Sequence, residues 1–290
     1  MKSDQFTQKM VLGTVQLGTD YGITNASGRP SRKEALNILS YAWESGIRYF
    51  DTAPAYGSEK LIGEFVKKNG IQNQIKVLTK IPAVSDHNNF FPHIENTIQK
   101  SLENIGCNIE VAFLHKSTDS KLIDQNKNYF SGLRERYSIN NLGVSVYEPE
   151  EVTSLTVGEF DLNYQFPFNI LDRRFEGVKM NKGKRYARSI YLQGLLASTT
   201  GLRSGVLPIV ENLWRKYHSL LLENKINPIQ FATSFVANSN AVDYFLFGVE
   251  SVAQLREIIN SSFSESAVPP QIDLLVRDID QKITDPRQWF

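Results

Sequence analysis

The sequence predicts an α/β fold, and within it a single (β/α)8 TIM barrel, on three observations. Short apolar runs alternate with longer segments of helical periodicity, eight runs along the 290-residue chain. No linker rich in Pro, Gly or Ser divides the chain, so one domain over residues 1–290 is expected. The G-x-G-x-x-G turn of an open dinucleotide-binding sheet is absent; the first turn offers only Gly13 and Gly18, in LGTVQLG. Repeated strand–helix alternation calls for a parallel sheet covered by helices, and eight units in this length close best into a barrel.

Each element has its own signal. MVLGTVQLG (10–18) reads as the first strand and SRKEALNILSYAWESG (31–46) as a helix, with Ser31 as N-cap and Gly46 as its stop. IRYFD (47–51) is the second strand, and SEKLIGEFVKKNG (58–70) a helix with another glycine stop. IKVLTK (75–80), the PHIENTIQKSLENIG helix (92–106) and IEVAFLH (109–115) continue the alternation. INNLGVS (139–145), FDLNYQF (160–166), ARSIYLQG (187–194) and VDYFLFGV (242–249) complete eight strands. EPEEVTSL, LPIVENLWRKYHSLLLENK and SVAQLREIIN are helices among them.

Composition narrows the partners. With 32 basic residues against 31 acidic ones the net charge is +1, which points to no nucleic-acid and no membrane-surface partner. A single cysteine, Cys107, excludes an internal disulfide and disfavours a cysteine-rich metal site. The opening MKSDQFTQKM is polar, and no 18-residue apolar stretch exists, so neither a signal peptide nor a membrane helix is expected and the cytoplasm is the expected location. Nothing in the sequence specifies an oligomeric state.

In a barrel of this kind the reactive groups lie at the C-terminal strand ends. The second strand ends at Asp51, the third at Lys80 and the fourth at His115, while Tyr56 follows the second in the turn before its helix. Each alone is as well explained by capping, solvation or core packing. Together, at the same end of consecutive strands, they form a candidate proton-transfer site.

These residues resemble the aldo-keto reductase family. FDTAPAYGSEKLIGE is similar to that family's D-T-A-x-x-Y-G-x-S-E-x-x-L-G segment, and VLTK and FLH follow at its usual intervals. Lys80 stands 24 residues after Tyr56, and His115 35 residues after Lys80. The resemblance implies reduction of a small-molecule carbonyl substrate, an aldehyde or ketone, with hydride from a nicotinamide cofactor. It implies Tyr56 as proton donor, Lys80 as the ammonium that stabilises phenolate, Asp51 as its holder and His115 as the group that orients the carbonyl oxygen. A tyrosine at its ordinary pKa of ~10 is a reluctant acid at neutral pH, which is why the ammonium is needed.

The resemblance also implies cofactor contacts. Gly13 and Thr14 match the glycine-led contact beside the nicotinamide ribose, and Ser145 and Gln165 the carboxamide pair; Val146 stands where the family often has asparagine. RSIYLQGLL departs from the family's tyrosine–serine–proline–leucine turn, so either Arg188 or Tyr191 covers the nicotinamide face, with Ser189 toward the pyrophosphate. Gly248, Ser251, Gln254 and Glu257 match the closing motif, whose helix start suits phosphate, although Ile258 replaces an asparagine and Glu250 a small polar residue. NADP (NADPH) is the family's commoner cofactor and NAD the alternative; Glu250 weakens the preference for NADP. No metal is expected.

Two other readings compete. A protein of this family can serve as a nucleotide-sensing subunit with little turnover. Tyr56 and Lys60 also spell Y-x-x-x-K, the pair of short-chain dehydrogenases, although the glycine-rich turn those enzymes need is missing. The tail 264–290 is a candidate border of the substrate pocket, with Trp289 and Phe290 either folded over it or, the favoured reading, packed against the barrel wall. The NILDRRFEG loop (169–177) is a candidate for anionic or sugar-like substrates, although solvation of its arginines is the better explanation.

Overall fold

A computed structural model describes residues 6–25, 27–83, 89–117, 123, 125–153, 161–180, 182–261, 268–277 and 279–289. Eight parallel strands close into one barrel in chain order. They are β1 (Met10–Gly13), β2 (Tyr49–Asp51), β3 (Lys76–Ile81), β4 (Ile109–Leu114), β5 (Ile139–Ser145), β6 (Asn163–Pro167), β7 (Arg185–Arg188) and β8 (Tyr244–Gly248). Closure comes from β8 pairing back onto β1, with Gly248 beside Gly13, so no sheet edge is left open. Parallel neighbours cannot be joined by tight turns, and helices such as Arg32–Glu44, Glu59–Asn69 and Phe90–Ile105 carry the crossovers. As expected, Ser31 caps the first of these, its Oγ accepting from Glu34 N at 3.2 Å.

Strand side chains alternate between the barrel axis and the helix layer. Val11, Leu78, Val111, Phe113, Tyr186 and Leu246 point to the axis and form a buried cluster of their own. Gly143 also faces it: a Cβ there would come within 2.5 Å of the Phe113 ring, so only glycine admits that ring. The residue two steps on along each strand shares the same direction at the C-terminal rim. Read off in order, those residues are Gly13, Asp51, Lys80, His115, Ser145, Gln165, Arg188 and Gly248. The barrel's packing parity therefore delivers eight candidate site residues to one opening.

Several extents differ from the sequence reading. The first strand stops at Gly13, because Val15–Gly18 makes one helical turn. That turn lies against the Tyr56 backbone; a Cβ on Gly18 would sit 1.8 Å from the Tyr56 carbonyl oxygen. The seventh strand is Arg185–Arg188, not 187–194. Beyond Arg188 the chain turns through left-handed positions at Ser189 (φ 58), Leu192 (φ 46) and Gln193 (φ 54). Its apolar residues are buried by a different route: Leu192, Leu195 and Leu196 join a second cluster with Tyr217 and Trp289. The Pro228–Ala237 helix gives no periodic signal because Phe231, Ala232, Thr233, Ser234, Val236 and Ala237 are all buried. The Lys127–Arg136 and Pro270–Arg277 helices also go beyond the sequence expectation.

The C-terminal segment is tied down by Trp289, which is fully buried. Its indole N–H donates to the carbonyls of Lys282 and Ile283, each at 3.1 Å, and its own carbonyl accepts from Leu207 N. Trp289 thus packs in the second cluster, outside the barrel strands, and does not fold over the cavity. Phe290, like 264–267 of the same tail, lies outside the described residues. Among the described residues no helix is long and apolar enough to cross a membrane. Trp289→Ala should cost about 3–5 kcal/mol of stability, read as a lowered urea midpoint. A loss under about 1 kcal/mol would show that the segment is not held this way.

Candidate active site

At the centre of the rim, Lys80 and Asp51 form a buried ion pair, Nζ to Oδ1 at 2.6 Å. Lys80 also donates to the Thr52 carbonyl at 3.1 Å, and Gln165 Nε2 donates to the second Asp51 oxygen at 2.9 Å. Burial by itself would push Lys80 toward the neutral amine. The Asp51 carboxylate and Tyr56 outweigh it and hold the lysine's pKa above its ordinary value. Three strands thereby converge on one charged contact: β2 gives Asp51, β3 Lys80 and β6 Gln165.

Tyr56 closes a short 3-10 turn, Pro54–Tyr56, and its ring centroid lies 5.0 Å from Lys80 Nζ. The turn is braced from below. Thr14 Oγ1 donates to the Asp51 carbonyl at 2.9 Å, and the Ser58 hydroxyl bonds both Thr14 and Thr52 at 2.8 Å. Glu59, the nearest carboxylate in sequence, is spent inside the fold on Thr79 (2.9 Å) and Asn104 (3.1 Å). Lys60 is exposed and does not line the cavity, so the lysine beside Tyr56 is Lys80. His115 stands at the mouth. Desolvation, then the charges of Lys80 and Arg188, hold its pKa below the usual imidazole value.

A cavity of about 570 Å³ opens above this group. Asp51, Tyr56, Lys80 and His115 line it, as do Gly13, Thr14, Ser145, Gln165, Arg188, Ser189, Tyr191, Gly248, Gln254 and Glu257. Of the catalytic and cofactor positions that the family resemblance implies, only Ser251 is not in the wall. It caps the Val252–Asn260 helix, its Oγ accepting from Gln254 N at 3.2 Å. Tyr191 is anchored, its hydroxyl 2.7 Å from Thr233 Oγ1. Gln165 Oε1 is buried with no hydrogen-bond partner, which leaves one acceptor beside Lys80 for an incoming amide N–H. That orphaned acceptor fits a nicotinamide carboxamide.

Sequence reasoning missed Tyr21, Tyr147 and Gln193, which also line the cavity. Tyr147 is clasped between two guanidinium groups, Arg188 at 4.0 Å and Arg287 at 3.8 Å from its ring centre. The sequence does carry a signal for Tyr147: it lies two residues beyond Ser145 and so keeps the inward parity. Nothing comparable marks Tyr21. The arginines of NILDRRFEG do not line the cavity. Arg174 pairs with Asp172 and Glu148, and Arg173 with Asp273.

Fold and site together define a class: a (β/α)8 barrel whose strand ends gather titratable side chains around one cavity. The chain belongs to the aldo/keto reductase family, whose description matches residues 9–269. It is 25% identical over 187 residues to aldo-keto reductase YhdN of Bacillus subtilis, a stretch covering 61% of this chain and 56% of YhdN. It thus spans about half of that relative's length. An uncharacterized oxidoreductase of the same organism, YqkF, is 23% identical over 97% of this chain and 95% of its own. Among solved structures, the glycerol dehydrogenase AKR11B4 from Gluconobacter oxydans superposes with a TM-score of 0.68 at 20% identity, covering 93% of this chain and 90% of that one. That likeness is one of fold.

His115 supplies a pH test. Folding lowers its pKa, so the unfolded chain takes the proton first. Its contribution to stability is complete above ~6.5 and is lost as pH falls through the folded value. The NMR titration midpoint of His115 should lie below ~6.5 and move upward in Arg188→Gln. A midpoint at or above ~6.5 in the native chain would contradict this electrostatic environment.

Proposed function

We propose that the protein reduces an aldehyde or ketone to an alcohol, with a reduced nicotinamide dinucleotide, NADPH or NADH, as hydride donor. One observation carries this reading: the buried Lys80–Asp51 pair beside Tyr56, in a cavity where the Gln165 amide oxygen has no partner. The cofactor supplies hydride to the carbonyl carbon when bound; the rest of the chemistry belongs to the chain.

The chain must give a proton to the oxygen that becomes the alcohol. Among the described residues Tyr56 holds the only cavity-lining hydroxyl with the Lys80 ammonium at its ring, and it is the donor. The positive charge of Lys80 favours the phenolate left behind, and Asp51 keeps that charge in place. His115, uncharged through neutral pH, donates a hydrogen bond to the substrate oxygen without competing as the acid. Ser145 and Gln165, adjacent in register, receive the carboxamide. Gly13 and Thr14 border the ribose, Ser189 the pyrophosphate, and Arg188 or Tyr191 the ring face.

Tyr56→Phe tests the assignment. It removes one hydroxyl and should lower kcat by ~10²-fold or more, with the dissociation constant for cofactor changed by less than about twofold. Turnover equal to the native chain would sink the role of Tyr56. Lys60→Met should leave kcat within about twofold; a loss as large as in Tyr56→Phe would restore the Y-x-x-x-K pairing. Tight cofactor binding with no oxidation of it across a broad aldehyde panel would favour the sensing role instead.

A further inference from the structure

We infer that the far end of the cavity accepts an adenosine with a free 2′-hydroxyl and rejects a 2′-phosphate, so that the protein prefers NADH to NADPH. This inference rests on the reading of the cavity as a nicotinamide-dinucleotide site. With the nicotinamide against Tyr56 and Gln165, the adenosine is carried toward the start of the Val252–Asn260 helix, where Glu250, Gln254, Glu257 and Ile258 form the wall. NADP differs from NAD there by one phosphate ester, a group with a charge of about −1.5 to −2 near neutral pH. A site that takes it needs free N–H donors or unpaired cations.

Three backbone donors there are already committed. Glu250 N donates to Gln254 Oε1 at 2.7 Å, Val252 N to Glu34 Oε1 at 3.3 Å, and Gln254 N to Ser251 Oγ at 3.2 Å. Three amides of the helix start that the sequence offered as a phosphate cradle are therefore taken, two by its own side chains and one from outside. The outside group is a carboxylate, from Glu34 on the neighbouring Arg32–Glu44 helix, so a negative charge already sits at the dipole's positive end. Glu250 and Glu257 add two more carboxylates in the wall itself.

Among the described residues no lysine or arginine of the cavity wall stands beside them. Lys80 and Arg188, the basic residues in the cavity wall, both stand at the strand ends beside the proton-transfer group. Arg203 acts on Glu250, but it is held by Asp20 and the Asn25 carbonyl, each at 2.8 Å. Arg256 is outside the wall, its guanidinium 5.4 Å from the Tyr41 ring centre. A phosphate dianion meets the carboxylates of Glu34, Glu250 and Glu257, with three of the nearby amides already taken. A ribose hydroxyl, by contrast, finds carboxylate acceptors.

The test is a pair of equilibrium titrations of the purified protein with NADH and NADPH, followed by quenching of tryptophan fluorescence at low and high salt. NADH should bind at least about tenfold more tightly at low salt, with the gap narrowing as salt screens the carboxylates. Glu34→Gln should shrink the ratio by improving the binding of NADPH. Equal or tighter binding of NADPH, or NADPH binding that is abolished in Arg256→Ala, would overturn the inference while leaving the dinucleotide reading intact. Failure of both nucleotides to bind would overturn the functional reading and this inference with it.

Discussion

The structure turns on one contact, the buried bridge between Lys80 and Asp51. Neither charge could be left there alone: stripping one partner from such a pair typically costs about 3–5 kcal/mol, because the other stays desolvated and unmatched. The barrel spends three strand ends on it, with Gln165 taking the second carboxylate oxygen and the Thr52 carbonyl taking another ammonium proton. A hydrophobic filling would stabilise the rim at least as well. The pair places a fixed positive charge beside Tyr56 that solvent cannot screen.

The remaining geometry follows from parity. A parallel barrel whose interior is plugged by Val11, Leu78, Val111, Phe113, Tyr186 and Leu246 turns the next inward residue of each strand into a rim residue. The positions of Asp51, Lys80 and His115 are therefore legible from strand ends alone, without any likeness to a family. Tyr56 belongs to a turn, and its placement depends on Gly18 approaching its carbonyl and on the Thr14–Ser58–Thr52 hydroxyl chain. Burial separates the two lysines that could serve it: Lys60 is on an exposed helix face, Lys80 inside the barrel.

What the sequence hid has a common cause: burial on more than one side erases periodicity. The Pro228–Ala237 helix is buried nearly all round, and 189–196 is an apolar turn that imitates a strand. Tyr147 is readable in principle by its spacing from Ser145, but its clasp between Arg188 and Arg287 joins residues far apart in the chain. At the start of the Val252–Asn260 helix the motif itself misleads. Its letters promise free helix amides, yet Glu34, on another helix, occupies one of them. Only tertiary structure reveals that a donor has been spent.

The central claim is that Lys80 acts through Tyr56 and not beside it. A double-mutant cycle on kcat, with Tyr56→Phe, Lys80→Met and the pair combined, measures this most directly. If the ammonium works by favouring the phenolate, losing it matters little once the hydroxyl is gone. The double variant should then be within about tenfold of Tyr56→Phe alone. Losses that multiply, each substitution exacting its full effect in the presence of the other, would contradict it.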